Sequence, residues 1–403
     1  MSSIRVLSLT SLEQPFRIRM KTWGLDPDGI RISLMINKIS FKNYKLFRTL
    51  QEMELRPMTV LIGKNSSGKS AIAKLFTLIE GSLSGSFNEA FRLINGGVEL
   101  GAEFKDLIHE RKYGQLDFVI SSDSESLETK IITFERHPPE IAEWKYHKGA
   151  ASTELDGTSV FKGFNSKDYP FESISLNTDY IGPFRQLPER VYSSLNDSEK
   201  IGIYGENAYP ILIKDGLSRE KKLLSKVSQK YSENFEGWGL QINEDKTPYY
   251  QIELTRGNLH INIKDVGQGM SQALPLVVRA FMPTAEETLI IIEQPELHLH
   301  PGAHGNLAQI FAESLEDKNK RYLIETHSQN FVLRLRRLVA EGKLKREDLI
   351  IYYVDFDEEK NESNLKKIEV DERGRVSFWP KGIFSETLDE TIAIRDSQIN
   401  GKY

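Results

Sequence analysis

The sequence contains no cysteine and no apolar run of membrane-spanning length. Without cysteine the chain has no disulfide, no thiolate zinc site and no cysteine nucleophile. A membrane helix needs about 20 consecutive apolar residues, and no segment comes close. The first residues also lack the apolar stretch of a secretory signal. These absences predict a cytoplasmic protein without membrane contact.

An excess of basic charge is missing as well. The chain has 53 Lys and Arg against 58 Asp and Glu, a formal net charge of -5. A general positive field that would attract nucleic acid is therefore absent, and DNA contact would need a local patch or an assembly. What the chain does have is length. Its 403 residues, 39% of them hydrophobic, are more than a single hydrophobic core usually organises. This length predicts a large domain with a second domain inserted or appended.

A phosphate-binding pattern follows the apolar run from Met58 to Ile62. Residues 63–70 read G-K-N-S-S-G-K-S, and apolar residues at helical spacing begin directly after them. Strand, glycine-rich loop and helix in this order are a P-loop, in which backbone N–H groups surround a phosphate, the lysine adds charge and the serine hydroxyl binds Mg²⁺. The candidate nucleotide-binding residues in the loop are Gly63, Asn65, Ser66, Ser67, Gly68, Lys69 and Ser70.

A second, acidic element decides what kind of P-loop protein this is. Residues 289–293 read L-I-I-I-E, which predicts a buried strand that ends in the carboxylate of Glu293. Taken alone, the pattern also fits a core strand with an ordinary terminal glutamate. Together with the P-loop it is a Walker B element, and we expect Ser70 and Glu293 to hold Mg²⁺. The two elements lie much farther apart than in small GTPases or nucleoside kinases.

The patterns around these motifs divide the chain. Short β-like runs predict an antiparallel β part over 116–161, and a Lys- and Glu-rich helix at 218–235 belongs to a predicted helical insertion over 195–240. Apolar strands alternate with helices over 260–354, which predicts a mostly parallel, buried core sheet. The expected organisation is an N-terminal extension over 1–31, an α/β ATPase domain over 32–384 and a C-terminal tail over 385–403.

Three further segments line up in the order of one family. Residues 266–272 (V-G-Q-G-M-S-Q) precede Walker B, residues 293–301 (E-Q-P-E-L-H-L-H-P) continue it, and residues 325–328 (E-T-H-S) follow the next predicted strand. Over most of the chain this order resembles the ABC-type ATPase heads of the SMC, RecF and OLD (overcoming lysogenization defect) group. Residues 180–185 (Y-I-G-P-F-R) and 378–384 (F-W-P-K-G-I-F) are similar to bacterial OLD-like AAA ATPases, many of them encoded in antiviral defence loci.

The resemblance implies a fold and a set of roles. The fold is an α/β P-loop ABC-type ATPase head with a mostly parallel core sheet, an antiparallel β-subdomain and a short helical insertion. The cofactors are ATP and Mg²⁺, and two heads form a homodimer with two ATP molecules between them. In such a dimer the signature segment, with Gly267, Gly269 and Ser271, reaches the nucleotide of the other subunit, and His327 contacts the γ-phosphate.

Two positions depart from the family pattern. Gly267 stands at the usual signature serine position, and Ser271 lies farther along, inside the predicted helix. Gln294 stands where the family has the glutamate that polarises the attacking water, and a glutamine orients water without accepting its proton. Hydrolysis is therefore expected to be slow, unless another residue acts as the base. The candidate catalytic residues are Gln294, Glu296 and His327.

The sequence thus predicts an ATPase head that dimerises around Mg-ATP and controls an effector partner, a nuclease or toxin, in antiviral defence. The residues after Val354 are too few for the Toprim nuclease domain that OLD-type proteins often carry, so DNA cleavage would fall to a separate protein. Two alternatives stay open. A RecF-like repair or recombination ATPase would itself bind DNA, and a scaffold would bind ATP without hydrolysing it.

Overall fold

The computed structural model describes residues 34–157, 159–166, 174–193 and 198–399, apart from the side chains at 246 and 386–388. The N-terminal extension expected over 1–31 lies outside the described residues.

Strands dominate the first half of the described chain, and strands alternate with helices in the second. The strands are β1 Leu34–Met35, β2 Lys38–Lys42, β3 Gln51–Glu54, β4 Met58–Ile62, β5 Ile94–Asn95, β6 Val98–Glu99, β7 Gly114–Ser121, β8 Glu125–Thr133, β9 Glu140–Lys148, β10 Ala151–Asp156, β11 Phe161–Lys162, β12 Asn165–Ser166, β13 Ile174–Ser175, β14 Thr178–Ile181, β15 Gly239–Lys246, β16 Tyr249–Arg256, β17 Leu259–Asn262, β18 Thr288–Glu293, β19 Lys320–Glu325, β20 Leu349–Asp357 and β21 Glu362–Ile368. The helices are α1 Lys69–Leu83, α2 Ala208–Leu217, α3 Lys222–Asn234, α4 Gln268–Phe281, α5 Pro301–Ser314, α6 Gln329–Ala340 and α7 Glu386–Ile399.

A six-stranded sheet forms the centre of the fold, with the strand order β14-β18-β19-β4-β20-β21. The first five strands pair in parallel, and β21 pairs antiparallel with β20 at one edge. Every residue of β4 and of β18 is buried, as expected for strands that are covered on both faces. The mostly parallel core sheet expected from the sequence is confirmed.

Successive residues of the central strands face two different cores, because side chains alternate along a strand. Met58, Val60 and Ile62 of β4 join a core that contains residues of α4, α5 and α6. Leu61 joins the other core, with residues of α1 and of the antiparallel sheet. Because parallel strands end at the same edge, the loops after β4, β14, β18 and β19 meet on one side of the molecule.

A second six-stranded sheet is antiparallel, with the order β10-β9-β8-β7-β2-β3. Its strands β2 and β3 precede the P-loop, and β2 pairs with β7. The sheet therefore begins earlier in the chain than the stretch 116–161 in which the sequence showed antiparallel patterns. The pairing joins segments far apart in the chain, which local pattern does not reveal.

The insertion before α4 contains two helices followed by the three-stranded antiparallel sheet β15-β16-β17. The helix expected over 218–235 corresponds to α3, which begins at Lys222, and a separate helix, α2, precedes it and ends at Leu217. Between them Lys221 has a left-handed φ of 48°. Asp215 accepts a 2.7 Å hydrogen bond from the Leu224 N–H in the first turn of α3, which fixes the bend.

Helix α7 lies within the tail expected over 385–403, and its residues from Asp389 to Ile399 are exposed. Across the described residues, no helix combines the length and the apolar character needed to cross a membrane.

Candidate nucleotide-binding site

The P-loop, residues 63–70, connects the end of β4 to the first turn of α1. Gly63 has a φ of 152° and Gly68 a φ of 100°, conformations that residues with side chains rarely adopt. A Cβ on Gly63 would lie 2.5 Å from the Val354 carbonyl oxygen, and one on Gly68 would lie 3.1 Å from the Phe47 ring. The path of the loop therefore requires both glycines.

Two other parts of the chain hold the P-loop in place. The Tyr44 hydroxyl donates to the Ala71 carbonyl at 2.8 Å, which fixes the β2–β3 connection against α1. The Ser363 hydroxyl of β21 donates to the Ser67 carbonyl at 2.7 Å. The backbone N–H groups that would surround a phosphate are thus positioned from two directions.

Lys69 begins α1 and is only 3% exposed. Its ammonium group donates to the carbonyls of Gly63 at 3.0 Å and Lys64 at 2.7 Å. Burial lowers the pKa of Lys69, while Glu325 and other nearby carboxylates oppose that change. The cation is held inside the loop, where a P-loop lysine meets phosphate oxygens.

Two buried carboxylates lie at neighbouring strand ends beside the loop. Glu293 ends β18, Glu325 ends β19, and the two residues are paired in the parallel register. The Ser70 hydroxyl donates to Glu325 Oε2 at 2.8 Å. The Tyr180 hydroxyl donates to Glu293 Oε1 at 2.7 Å. The expected Mg²⁺ residue Ser70 therefore contacts Glu325, and Glu293 lies one strand farther away.

The environment of these carboxylates suits a cation. Burial, and then the charge of Glu325, raise the pKa of Glu293 to about 7. Burial also raises the pKa of Glu325, which the Ser70 hydrogen bond partly offsets. A bound cation would stabilise the charged forms. Carboxylate and hydroxyl oxygens are the ligands that Mg²⁺ prefers, so the residues present fit this ion.

A cavity of about 370 Å³ opens between the P-loop, the β2–β3 connection and the strand ends. Three lysine side chains, Lys45, Lys69 and Lys74, line it, which favours a polyanion such as a triphosphate. Gly63 and Ser67 belong to the buried part of the P-loop and are not among the described residues that line the cavity. The other expected residues in the wall are Asn65, Ser66, Gly68, Ser70, Gln294 and His327.

Gln294 follows β18 in a left-handed conformation, with a φ of 46°. Such a conformation costs on the order of 1–3 kcal/mol for a residue other than glycine. Hydrogen bonds hold it on both sides. Its N–H donates to the Glu325 carbonyl at 2.8 Å, and its carbonyl accepts from the Arg185 guanidinium at 3.4 and 3.5 Å. This turn brings Gln294 to the cavity.

His327 lines the cavity, whereas Glu296 lies against the backbone of His327. The His327 N–H donates to Glu296 Oε1 at 2.6 Å, and Glu296 is absent from the described residues that line the cavity. Burial raises the pKa of Glu296. Burial, and then the charge of Lys69, lower the pKa of His327 to about 4, so its imidazole is neutral near pH 7.

The signature segment lies at the start of α4, apart from the cavity. Gly267 immediately precedes α4 and is exposed. Gly269 lies against the loop after β18, since a Cβ on it would stand 2.7 Å from the His298 carbonyl oxygen. The buried Ser271 hydroxyl donates to the Gln268 carbonyl at 3.2 Å. Among the described residues that line the cavity, none comes from this segment.

Sequence reasoning missed the contacts of Glu325, Tyr180 and Lys45 with the site. Glu325 had a readable signal, because residues 320–325 end an apolar run in a carboxylate, as residues 289–293 do. Tyr180 stood in a segment noted for its resemblance, without a role. Lys45 had no local signal, since only the pairing of β2 and β3 brings it to the P-loop.

A P-loop at the carboxyl edge of a parallel sheet, with two carboxylates on adjacent strand ends and an antiparallel sheet beside it, defines a P-loop ATPase head. The chain belongs to the AAA ATPase domain family, which matches residues 35–201 and 184–332. A second family, described as a protein of unknown function (DUF3696), matches residues 344–393. The P-loop ATPase domain expected from the sequence is confirmed. No curated protein matches the sequence at a significant level.

Three solved structures are distant likenesses. A SmcHead bound to the C-winged helix domain of ScpA has 13% identity and a TM-score of 0.43, covering 84% of this chain and 98% of its own. The SMC head domain from Thermotoga maritima has 11% identity and a TM-score of 0.39, covering 84% and 100%. The Smc head domain with an extended coiled coil, bound to the C-terminal domain of ScpA, from Pyrococcus furiosus has 11% identity and a TM-score of 0.44, covering 90% and 99%.

Proposed function

We propose that this protein binds Mg-ATP in the P-loop cavity and hydrolyses it slowly. The observation that supports this most directly is the composition of the cavity wall. Lys69 and Ser70 lie beside Glu325, and Gln294 occupies the place where a carboxylate would activate water. Ser70 with Glu293 and Glu325 would hold Mg²⁺, which when bound neutralises phosphate charge.

Slow turnover follows from the acid–base groups around the cavity. Glu325 is the carboxylate among the described lining residues, and it already accepts a hydrogen bond from Ser70. Glu296 is buried and accepts from the His327 N–H, so it is directed at the backbone. Gln294 orients a water molecule without taking its proton. The neutral imidazole of His327 is then the remaining candidate, among the described residues that line the cavity, for accepting the proton of the attacking water.

Dimerisation around ATP is supported by the position of the signature segment. Gly267 and Gln268 are exposed at the start of α4, where the helix N-terminus offers N–H groups and a positive dipole to an anion. Within one chain these groups do not reach the cavity. A second copy placed head to tail would complete each site with the other's signature segment.

We further propose that the ATP-bound dimer controls an effector, a nuclease or toxin, in antiviral defence. It is supported by the OLD-like segments at 180–185 and 378–384. In the first of these segments, Tyr180 donates a hydrogen bond to Glu293 and Arg185 donates one to the Gln294 carbonyl. The segment is therefore part of the site. A phage challenge of cells carrying the intact locus, beside cells with Lys69→Ala, tests this. Equal phage survival in both would contradict a defence role.

Binding and turnover are tested together on the purified protein. A fluorescent ATP analogue measures affinity, and phosphate release measures turnover, with Lys69→Ala as the variant and Lys64→Ala as the matched control. Lys64 is exposed, and only its backbone carbonyl meets Lys69. We expect Lys69→Ala to abolish binding and Lys64→Ala to retain it. Binding that survives Lys69→Ala would place the nucleotide elsewhere.

A second candidate function is a scaffold that binds ATP without hydrolysing it. Gln294 favours this reading, because a glutamine at that position cannot take the proton of the attacking water. A single-turnover experiment with radiolabelled ATP separates the two. Conversion of bound ATP to ADP at a Lys69-dependent rate supports the slow ATPase, and ATP recovered intact after hours supports the scaffold.

A further inference from the structure

Arg185 is a buried cation next to Gln294. It follows β14 and is 5% exposed. Its guanidinium donates to the carbonyl of Gln294 at 3.4 and 3.5 Å and to that of Gly182 at 3.5 Å. Carbonyl oxygens are its hydrogen-bond acceptors among the described residues, so a full positive charge is held by dipoles next to the end of the Walker B strand.

The backbone of Arg185 is tied to the signature helix. Its carbonyl accepts a 2.9 Å hydrogen bond from Gln272 Nε2, and both groups are buried. Gln272 lies on α4 directly after Ser271. The Tyr209 hydroxyl adds a neighbouring link, at 3.0 Å to the Gln186 carbonyl and 3.5 Å to the Ser271 carbonyl. A displacement of α4 would therefore move the backbone at Arg185.

Burial lowers the pKa of Arg185, and Glu296 is the charged group that most strongly opposes this change. In the described structure, Arg185 Nε and Glu296 Oε2 are both buried without a hydrogen-bond partner. An unmet buried polar group costs about 1–3 kcal/mol. The Arg185 guanidinium already contacts Gln294, two residues before Glu296. An unpaired donor on Arg185 and an unpaired acceptor on Glu296 therefore favour a second arrangement in which these two groups approach each other.

We propose that Arg185 is a positioning residue that transmits the position of the signature helix α4 to Gln294 and His327. The backbone of Arg185 is linked to α4 by the hydrogen bond from the Gln272 side chain. Arg185 sets Gln294 through that residue's carbonyl, and it acts on His327 through Glu296, which holds the His327 N–H. Docking of the signature segment on a second subunit's nucleotide thereby adjusts the geometry for hydrolysis. The inference rests on the proposed function, because it concerns ATP turnover at this site.

The first test compares Arg185→Ala and Arg185→Lys with Arg190→Ala. Arg190 lies in the same segment but is exposed and paired with Asp265 at 2.5 Å. We expect Arg185→Ala to lower kcat about tenfold while KM changes less than about twofold, since the lost interaction is not made with substrate. Arg185→Lys should restore part of kcat, and Arg190→Ala should match the unaltered protein. Affinity for the fluorescent ATP analogue is expected to stay unchanged in all three.

A double-mutant cycle on kcat provides the sharper test. Gln272→Ala and Gln294→Ala are combined, first with Arg185 present and then in the Arg185→Ala background. We expect the two changes to be non-additive by at least about threefold with Arg185 present and additive without it. Persistent coupling without Arg185, or additivity in both backgrounds, overturns the inference. If Arg185→Ala fails to fold, Arg185→Lys serves as the background.

Different results would contradict the slow ATPase activity and the role of Arg185. If the unaltered protein shows no Lys69-dependent turnover, the proposed function is wrong and the inference goes with it. If turnover depends on Lys69 while Arg185→Ala retains full kcat, the inference alone is overturned. A fall in kcat that merely follows the thermal midpoint across Arg185→Ala, Arg185→Lys and Arg190→Ala also overturns it, because that pattern shows a purely structural role.

Discussion

At the scale of single residues, the site depends on backbone conformations that few residue types adopt. Gly63 and Gly68 have positive φ angles in the P-loop, and Gln294 has one after the Walker B strand. The glycines were readable from the sequence, because their spacing is itself the P-loop pattern. The strained turn at Gln294 was not, since its N–H donates to the Glu325 carbonyl and its carbonyl accepts from Arg185, and both residues are far away in the chain.

Gly63→Ala should abolish ATP binding and destabilise the fold. The added Cβ would meet the Val354 carbonyl oxygen at 2.5 Å, and the loop would have to shift, at a cost of roughly 1–3 kcal/mol. Gly96→Ala is the matched control, because it also has a positive φ, of 54°, but meets nothing within 4 Å. Calorimetry with ATP measures both effects. Equal losses in the two variants would show that contact with Val354 is unimportant.

Glu325→Gln should weaken Mg²⁺ binding, and so raise the Mg²⁺ concentration needed for turnover, at least as much as Glu293→Gln does. The reason is that Glu325, not Glu293, accepts the hydrogen bond from Ser70, at 2.8 Å. The measurement is turnover as a function of Mg²⁺ concentration at fixed ATP. An Mg²⁺ titration of Glu325→Gln that overlays that of the unaltered protein would return the main role to Glu293, as the sequence alone suggested.

At the scale of elements, the central sheet fixes the site and was the most predictable part. Apolar runs of β4 and β18 with a glycine-rich loop or a carboxylate at their ends identified the strands that carry the chemistry. The start of α3 was placed at Ser218, four residues early, because residues 218–222 (S-R-E-K-K) are polar and charged types that also occur in helices. What bends the chain there is the Asp215 contact with α3, a pairing that periodicity does not encode.

A buried ion pair joins α4 to the edge strand β14. Arg279 Nε lies 2.5 Å from Asp179 Oδ2, and both side chains are nearly fully buried. Arg279→Met leaves an unpaired buried carboxylate and should lower the free energy of unfolding by about 3–5 kcal/mol. Adding Asp179→Asn should recover much of the loss. Urea unfolding measures both, and a double variant no more stable than the single one would show that the pair acts only through shape.

At the scale of the whole molecule, the proposed ATP-bound dimer would bring together two parts of the chain that lie apart in one copy. The cavity is lined by the P-loop, Glu325 and His327, whereas the exposed start of the signature segment, Gly267 and Gln268, lies elsewhere on the surface. This separation was expected from the family resemblance alone. Composition and charge could not have shown it, because a net charge of -5 spread over 403 residues marks no particular face.

Gly267→Trp should block dimerisation in ATP without weakening ATP binding. Gly267 is exposed and a Cβ there meets nothing within 4 Å, so the fold tolerates the change while a flat interface does not. Ser152→Trp on the exposed strand β10 is the control for a bulky surface residue. Light scattering with and without ATP reads the mass. A Gly267→Trp protein that still doubles its mass in ATP would refute the sandwich arrangement.

Gln294 is proposed to set the rate of the chemical step, and the substitution Gln294→Glu examines that role at the reacting water itself. A glutamate at this position can accept the proton of the attacking water, so single-turnover hydrolysis should accelerate by about 10²-fold or more, with unchanged affinity for the fluorescent ATP analogue. Lys69→Ala in the same background should abolish the gain. If Gln294→Glu hydrolyses ATP no faster than the unaltered protein, another group is the base and the claim is wrong.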